Sequence, residues 1–161
     1  MAAVAVVVVN WNAGALLPRC LASVLAQQPA PAEVVVVDNA SSDGSADRLP
    51  AGVRVVRRPD NGGFAVAVNE GLRATGAPYV LTLNPDTELL PGCLAAASAR
   101  LERELDLGSV ALRVLQAADP TRLDATGIGL TSAFGQINLD HGRREDELAP
   151  GSSAVLGPLG G

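Results

Sequence analysis

Lysine is absent from the 161 residues, so all twelve basic side chains are Arg, and they lie scattered rather than gathered into a stripe. With seventeen acidic residues the formal charge is −5, which argues against a nucleic-acid backbone as partner, because such binding needs a clustered basic face. Cysteine is scarce: Cys20 and Cys93 stand far apart, and no basic stretch precedes the N-terminal apolar run. Export and disulfides are therefore disfavoured, and a cytoplasmic location is expected. Long hydrophobic runs are missing too. Val4 to Val9 is far shorter than the roughly 20 residues a bilayer span needs, and Asn10 ends it. Aromatic residues make up only 2% of the chain, so its core must come from Val, Leu and Ala.

What is present is enough for one domain with a sizeable core, since domains commonly run about 100 to 150 residues. Val4 to Val9 is β-branched without alternation, as in a parallel strand covered on both faces. Leu17, Cys20, Leu21, Val24 and Leu25 then recur at helical spacing, with Pro18 tolerable in the first turn, and this helix should end near Gln27. Glu33 to Val37 reads as a second buried strand, Val53 to Arg57 as a third, Gly63 to Ala74 as a helix, Tyr79 to Leu83 as a fourth strand, and Pro91 to Leu105 as a helix. Val110 to Leu115 offers another strand, and Gln116 to Ser153 loops and short strands. Strands alternating with helices predict an α/β domain with a mainly parallel sheet.

Ligands of such sheets bind beyond the strand C-termini. Asn10-Trp11-Asn12, Asp38 to Gly44, and Asn84 to Glu88 each follow a strand, so three polar segments converge on one rim. Asp86 is placed to ligate Mg²⁺ or Mn²⁺, ions that take one or two carboxylates and leave the rest of the shell to substrate phosphates. The same residue would serve equally as a cap or turn carboxylate. Asp38 can accept a hydrogen bond from a nucleobase or ribose, or from the amides of Ala40 or Ser41 in a turn; Asp43-Gly44 reads as turn chemistry. Asn61-Gly62-Gly63-Phe64 precedes a helix and would let backbone approach a diphosphate. Gly127-Ile128-Gly129 lacks the dinucleotide spacing and His141 lacks a catalytic or metal partner pattern, so both read as structural, and Arg143-Arg144-Glu145-Asp146 as a solvated charge run.

Taken in order, Val8-Val9-Asn10-Trp11-Asn12, Val36-Val37-Asp38-Asn39-Ala40-Ser41-Ser42-Asp43-Gly44-Ser45, Asn61-Gly62-Gly63-Phe64 with Asn69, and Leu83-Asn84-Pro85-Asp86-Thr87 resemble the family 2 glycosyltransferases. Within that family the Asn-Pro-Asp-Thr segment resembles the rhamnosyltransferase-like branch, where other members carry Asp-x-Asp. The resemblance covers about residues 4 to 115 well and the rest loosely. It implies a GT-A fold, Rossmann-like, with residues 1–115 as the nucleotide-binding core and 116–161 as the start of an acceptor-side region. Carried over by position, Asn10 and Asp38 contact base and ribose, Asn61 and Asn69 lie near nucleotide or sugar, Asn84 stands where many relatives have a carboxylate, and Asp86 holds the divalent metal, Mg²⁺ or Mn²⁺.

The implied reaction is attack of an acceptor hydroxyl on the anomeric carbon of a dTDP- or UDP-type sugar, with inversion. The donor is rhamnose or a hexose and the acceptor a glycan or lipid-linked saccharide, in cell-surface polysaccharide synthesis. The implied place is the cytoplasm, at the inner membrane face where the acceptor is lipid-linked, with no transmembrane segment. The general base of relatives lies after the segment resembled by Leu156-Gly157-Pro158-Leu159-Gly160-Gly161, so it is expected beyond Gly161, in a chain that reads as interrupted. Glu145-Asp146 precedes that segment and is not the base. A second reading is a non-catalytic nucleotide-binding or protein-interaction module that kept the fold. A nucleotidylyltransferase would need a Gly-rich basic loop near the first strand, and Asn10 to Ala15 offers one Gly and no basic residue.

Overall fold

The computed structural model describes residues 3–130, 136–148 and 155–156. Four strands, β1 (Val4–Asn10), β2 (Glu33–Asp38), β3 (Val53–Arg57) and β4 (Tyr79–Leu83), form one sheet in the order β3-β2-β1-β4. Every pairing in it is parallel, as the continuous valine runs require. Helix α1 (Leu16–Leu25) joins β1 to β2 and α2 (Phe64–Arg73) joins β3 to β4, a loop joins β2 to β3, and α3 (Cys93–Arg103) follows β4.

Alternation along β1 and β2 splits the core in two. Val6, Val8, Val34 and Val36 pack against Leu17, Cys20, Leu21 and Val24 of α1 and against Cys93 and Leu94 of α3. Val7, Val9, Val35 and Val37 face the other way, onto Ala67 of α2. That second layer is thin, and α2 sits close. A Cβ on Gly71 would lie 2.2 Å from Val7 Cγ1 and 3.2 Å from Val37 Cγ2, so only glycine lets the helix reach the sheet at this point.

The expected helices are present with shorter ends. α3 begins at Cys93 rather than Pro91, because Gly92 takes a left-handed φ of 80°, and it stops before Glu104, whose φ of −113° leaves helical space. The buried Gln27 fastens this end of the molecule: its Nε2 donates to Leu90 O (3.0 Å), while Leu89 N donates to Ser23 Oγ (2.9 Å). The chain after β4 is thereby held on α1. β1 continues one residue past the expected Val9, because Asn10 still pairs with Asp38.

Beyond α3 the elements are short. β5 (Arg113–Leu115) is half the length expected from Val110, and it pairs antiparallel with β6 (Leu123–Ala125). β7 (Ile128–Leu130) pairs with β8 (Gln136–Asn138), and β9 (Val155–Leu156) runs beside β5. The predicted Gly127-Ile128-Gly129 thus runs into a strand of an antiparallel pair. The charge run at 143–146 is only partly solvated: Arg144 pairs with Asp146 in the open, but Glu145 reaches the largely buried Arg113 at 2.9 Å. Residues 157–161 of the predicted glycine segment lie outside the described residues. Among the described residues no helix is long and apolar enough to cross a membrane.

Candidate functional site

The winding direction of the sheet reverses between β1 and β4, since β2 and β3 lie on one side of β1 and β4 on the other. A crevice opens at such a reversal, beyond the carboxyl ends of the strands. Into it project the segment after β1 and the segment after β4.

Asn10, Asp38 and Arg57 are the last residues of three adjacent strands and stand side by side, Asn10 opposite Asp38 and Asp38 opposite Arg57. Asn10 Nδ2 lies within 3.0 Å of Asp38 Oδ1 and Ser41 Oγ and 2.9 Å from Ser45 Oγ. An amide nitrogen carries two hydrogens. Asp38 only accepts, and Ser45 already donates its own hydroxyl to Asp43 Oδ1 (2.6 Å), so these two take them. This fixes which end of the Asn10 amide is nitrogen. The other end, Oδ1, is buried and has no hydrogen-bond partner among the described residues. On the far side of the carboxylate, Arg57 Nη1 donates to Asp38 Oδ2 (3.3 Å). Asp38 is thus engaged by side chains, not by the amides of Ala40 or Ser41 that a turn reading would require.

The loop after β2 is stitched to the loop after β1. Asn12 N donates to Ser41 Oγ (3.0 Å), Ser42 N to Asn12 Oδ1 (2.8 Å), and Gly14 N to Asp43 Oδ2 (2.8 Å). Asp43 also accepts from Ser45 N (3.0 Å), so the turn role expected for it is the one it performs. Two residues here adopt left-handed backbone, Asn12 at φ 50° and Ala40 at φ 60°, which Asn tolerates better than Ala. Trp11, between Asn10 and Asn12, is exposed.

Asn39, not singled out from sequence, is buried and reaches the third polar segment. Its Nδ2 donates to Asn61 Oδ1 (2.6 Å) and its Oδ1 accepts from Gly62 N (3.2 Å). Asn61 Oδ1 in turn accepts from Gly63 N (3.0 Å), holding the glycine pair ahead of α2. Asn10, Asp38 and Asn61 are therefore linked through consecutive residues 38 and 39. Asn69 is not brought to this group: it is exposed on α2, about half a turn around from the buried Ala67 and Gly71.

After β4, Asn84 O accepts from Thr87 N (3.2 Å) and from Cys20 Sγ (3.7 Å), which turns the chain so that Asp86 follows at the rim. Asp86 is half-buried, and its Oδ1 accepts from Thr87 Oγ1 (3.3 Å). Burial, and then the nearby Asp86 and Glu88 carboxylates, push the Cys20 thiol up to about 12. Burial likewise raises Cys93 to about 11. Both thiols therefore stay protonated at neutral pH. Arg19 of α1 forms an ion pair with Glu88.

The residues suit a divalent ion shared with a ligand rather than one caged by protein. Among the described residues no group of three or more His, Cys, Asp or Glu is placed to hold a metal. One accessible hard-oxygen carboxylate, Asp86, is what Mg²⁺ or Mn²⁺ needs from a protein when phosphates complete the shell.

Arg57, Asn39 and Arg19 were missed by sequence reasoning. The signal for Arg57 was available: counted from the strand ends, it occupies the same last position as Asn10 and Asp38.

The sequence matches the family described as Glycosyl transferase family 2 over residues 5–137. It is similar to uncharacterized protein MT1568 of Mycobacterium tuberculosis, 30% identical over 84% of this chain and 41% of that protein. It is similar also to the succinoglycan biosynthesis protein ExoU of Rhizobium meliloti, 35% identical over 56% of this chain and 28% of that protein. The chain thus spans less than half the length of either relative. Among solved structures, the mannosyltransferase PcManGT from Pyrobaculum calidifontis, in complex with GDP-Man and Mn²⁺, is 28% identical with a TM-score of 0.57, over 71% of this chain and 35% of its own. S. aureus TarS shares the fold, with a TM-score of 0.55 at 22% identity over 71% of this chain and 21% of its own.

Proposed function

The chain belongs to glycosyl transferase family 2 and has the GT-A fold, and from that premise we propose that it is the nucleotide-sugar-binding part of an inverting glycosyltransferase. In this reading residues 1–115 form the nucleotide-binding core and residues 116–161 begin the acceptor side. The observation that carries the reading is the convergence at one sheet reversal of a preformed polar web, Asn10 with Asp38, and an accessible carboxylate, Asp86.

Asn10 and Asp38 bind base and ribose, and Asn61, held by Asn39, keeps the Gly62-Gly63 backbone open beside them. Asn84 lies beside the nucleotide, while Asn69, exposed on the far face of α2, takes no part in this site. Asn84 cannot supply the negative charge that a carboxylate would, so Asp86 is the residue that would hold Mg²⁺ or Mn²⁺. Such an ion, when bound, supplies electrostatic stabilisation of a departing diphosphate, an effect worth several kcal/mol. The acceptor hydroxyl attacks the anomeric carbon opposite the diphosphate, which inverts the configuration. That attack needs a general base within about 3 Å of the hydroxyl. Glu145 and Asp146 do not qualify, because Arg113 and Arg144 already hold them.

The Asn84-Pro85-Asp86-Thr87 segment favours the rhamnosyltransferase-like branch, with dTDP-rhamnose or a UDP-hexose as donor and a saccharide or lipid-linked acceptor. Similarity to a succinoglycan biosynthesis protein supports a role in cell-surface polysaccharide. The expected place is the cytoplasm, at the inner membrane face if the acceptor is lipid-linked. Calorimetry with UDP and dTDP, with and without Mn²⁺, tests the reading. Mn²⁺ should raise nucleotide affinity about tenfold or more, and Asp86→Ala should erase that gain while leaving metal-free binding in place. Affinity with no metal dependence in the wild-type chain would favour a non-catalytic nucleotide-binding module instead.

A further inference from the structure

Among the described residues Arg57 is the one charged side chain that touches Asp38, and nothing in the proposed reaction requires it to touch the nucleotide. Its guanidinium spans two structures. Nη1 donates to Asp38 Oδ2 at 3.3 Å, and Nη2 donates to Ala46 O at 2.9 Å and to Asp47 Oδ1 at 3.1 Å. Asp38 is nearly buried, its side chain 6% exposed, whereas that of Arg57 is 54% exposed. The arginine therefore lies over the carboxylate and ties it to the far end of the 39–47 loop.

The planar guanidinium gives this contact a direction that an ammonium would not. With Asn10 on Oδ1 and Arg57 on Oδ2, both oxygens of Asp38 are held, and the carboxylate cannot rotate about its terminal bond without losing one partner. The same side chain fixes the distance between strand end and loop, since Ala46 is buried and accepts through its backbone. Resting on the reading of Asp38 as a nucleotide contact, we propose that Arg57 is a positioning residue for nucleotide binding: it orients the Asp38 carboxylate and closes the 39–47 loop over it, without itself contacting the ligand.

The test is a double-mutant cycle on the 161-residue chain, with UDP and dTDP affinities measured by calorimetry in the presence of Mn²⁺. Arg57→Ala should weaken nucleotide binding about tenfold, and Arg57→Lys nearly as much, because an ammonium cannot bridge Asp38 and Ala46 together. In the Asp38→Asn background, adding Arg57→Ala should cost less than about twofold, because the group it positions is already gone. Equal losses in both backgrounds would overturn the proposal and mark Arg57 as a direct ligand contact or a general structural residue. Full affinity of Arg57→Ala would overturn it as well. If the wild-type chain binds neither nucleotide, the underlying assignment of the site falls and this inference with it. Hydrogen exchange without nucleotide provides an independent arm: Arg57→Ala should speed exchange of the Asn39 to Asp47 amides while those of β1 and β2 stay protected. Unchanged loop exchange would contradict the clamp even if affinity fell.

Discussion

The two sides of the rim are built differently. On the β1–β2 side, Asn10, Asp38, Ser41, Asp43 and Ser45 bond one another in a closed web tied to Asn12 and Gly14. On the β4 side the segment from Asn84 is shaped mainly by its own backbone turn and by anchors from α1, and Asp86 remains accessible. A web with this many side-chain hydrogen bonds, in which Asn10 Oδ1 alone is left open, is rigid before any ligand arrives, so little ordering entropy is left to lose on binding. The proposed metal role of Asp86 asks for less enclosure, since phosphates would complete the shell of the ion. One side of the rim is thus fixed by a network of side chains, and the other by a backbone turn and by α1.

The strongest way to break this contrast is from beneath. Gly71→Ala drives a methyl into Val7 and Val37, the strands whose ends carry Asn10 and Asp38. Overpacking of this kind costs about 3 kcal/mol, and the thermal midpoint should fall by roughly 10 °C. A midpoint unchanged in calorimetry would mean that α2 is free to shift and that the web does not depend on it.

A smaller and more local effect should follow Asn10→Ala, which leaves a nearly buried carboxylate oxygen without its donor. Stability should drop by about 2 kcal/mol, read by denaturant unfolding. Asp86→Ala should by contrast change stability by less than about 0.5 kcal/mol. Equal destabilisation at the two positions would erase the distinction drawn between the two sides of the rim.

The smallest effect concerns pH. Hydrogen bonds from Ser45, first its hydroxyl and then its amide, with a further one from the Gly14 amide, hold Asp43 below the usual carboxylate range. A group whose folded pKa is depressed stabilises the fold above its unfolded pKa and loses that contribution as pH falls through the folded value. The loop clasp should therefore be intact at neutral pH and loosen only below about pH 4. Faster exchange of the Gly14 and Ser45 amides under mildly acidic conditions, near pH 5, would contradict this.

The fold was legible in the sequence because valine runs and a helical stripe report burial directly. Val53–Arg57 and Tyr79–Leu83 fall at the predicted residues, and the remaining strands and helices of the first half within two. The region after α3 was readable only as short strands, since three-residue elements leave no period to detect. In the site, the three polar segments were visible as breaks after strands. The partnerships were not: that Asp38 faces Asn10 and Arg57, or that Asn39 reaches Asn61, depends on strand register, which one sequence does not display. Asn69 lay on the predicted helix but points away from the cluster, because helical phase places it opposite Ala67 and Gly71.

The central claim is that Asp86 shares a divalent ion with the diphosphate of a sugar nucleotide. Crystals of the chain grown with UDP or dTDP and Mn²⁺, with data collected at the manganese absorption edge, test it most directly. The account predicts an anomalous peak about 2.2 Å from an Asp86 carboxylate oxygen and bound also to phosphate oxygens, with the base near Asp38. Nucleotide bound at Asp38 with no peak beside Asp86, or with manganese held elsewhere, would contradict it.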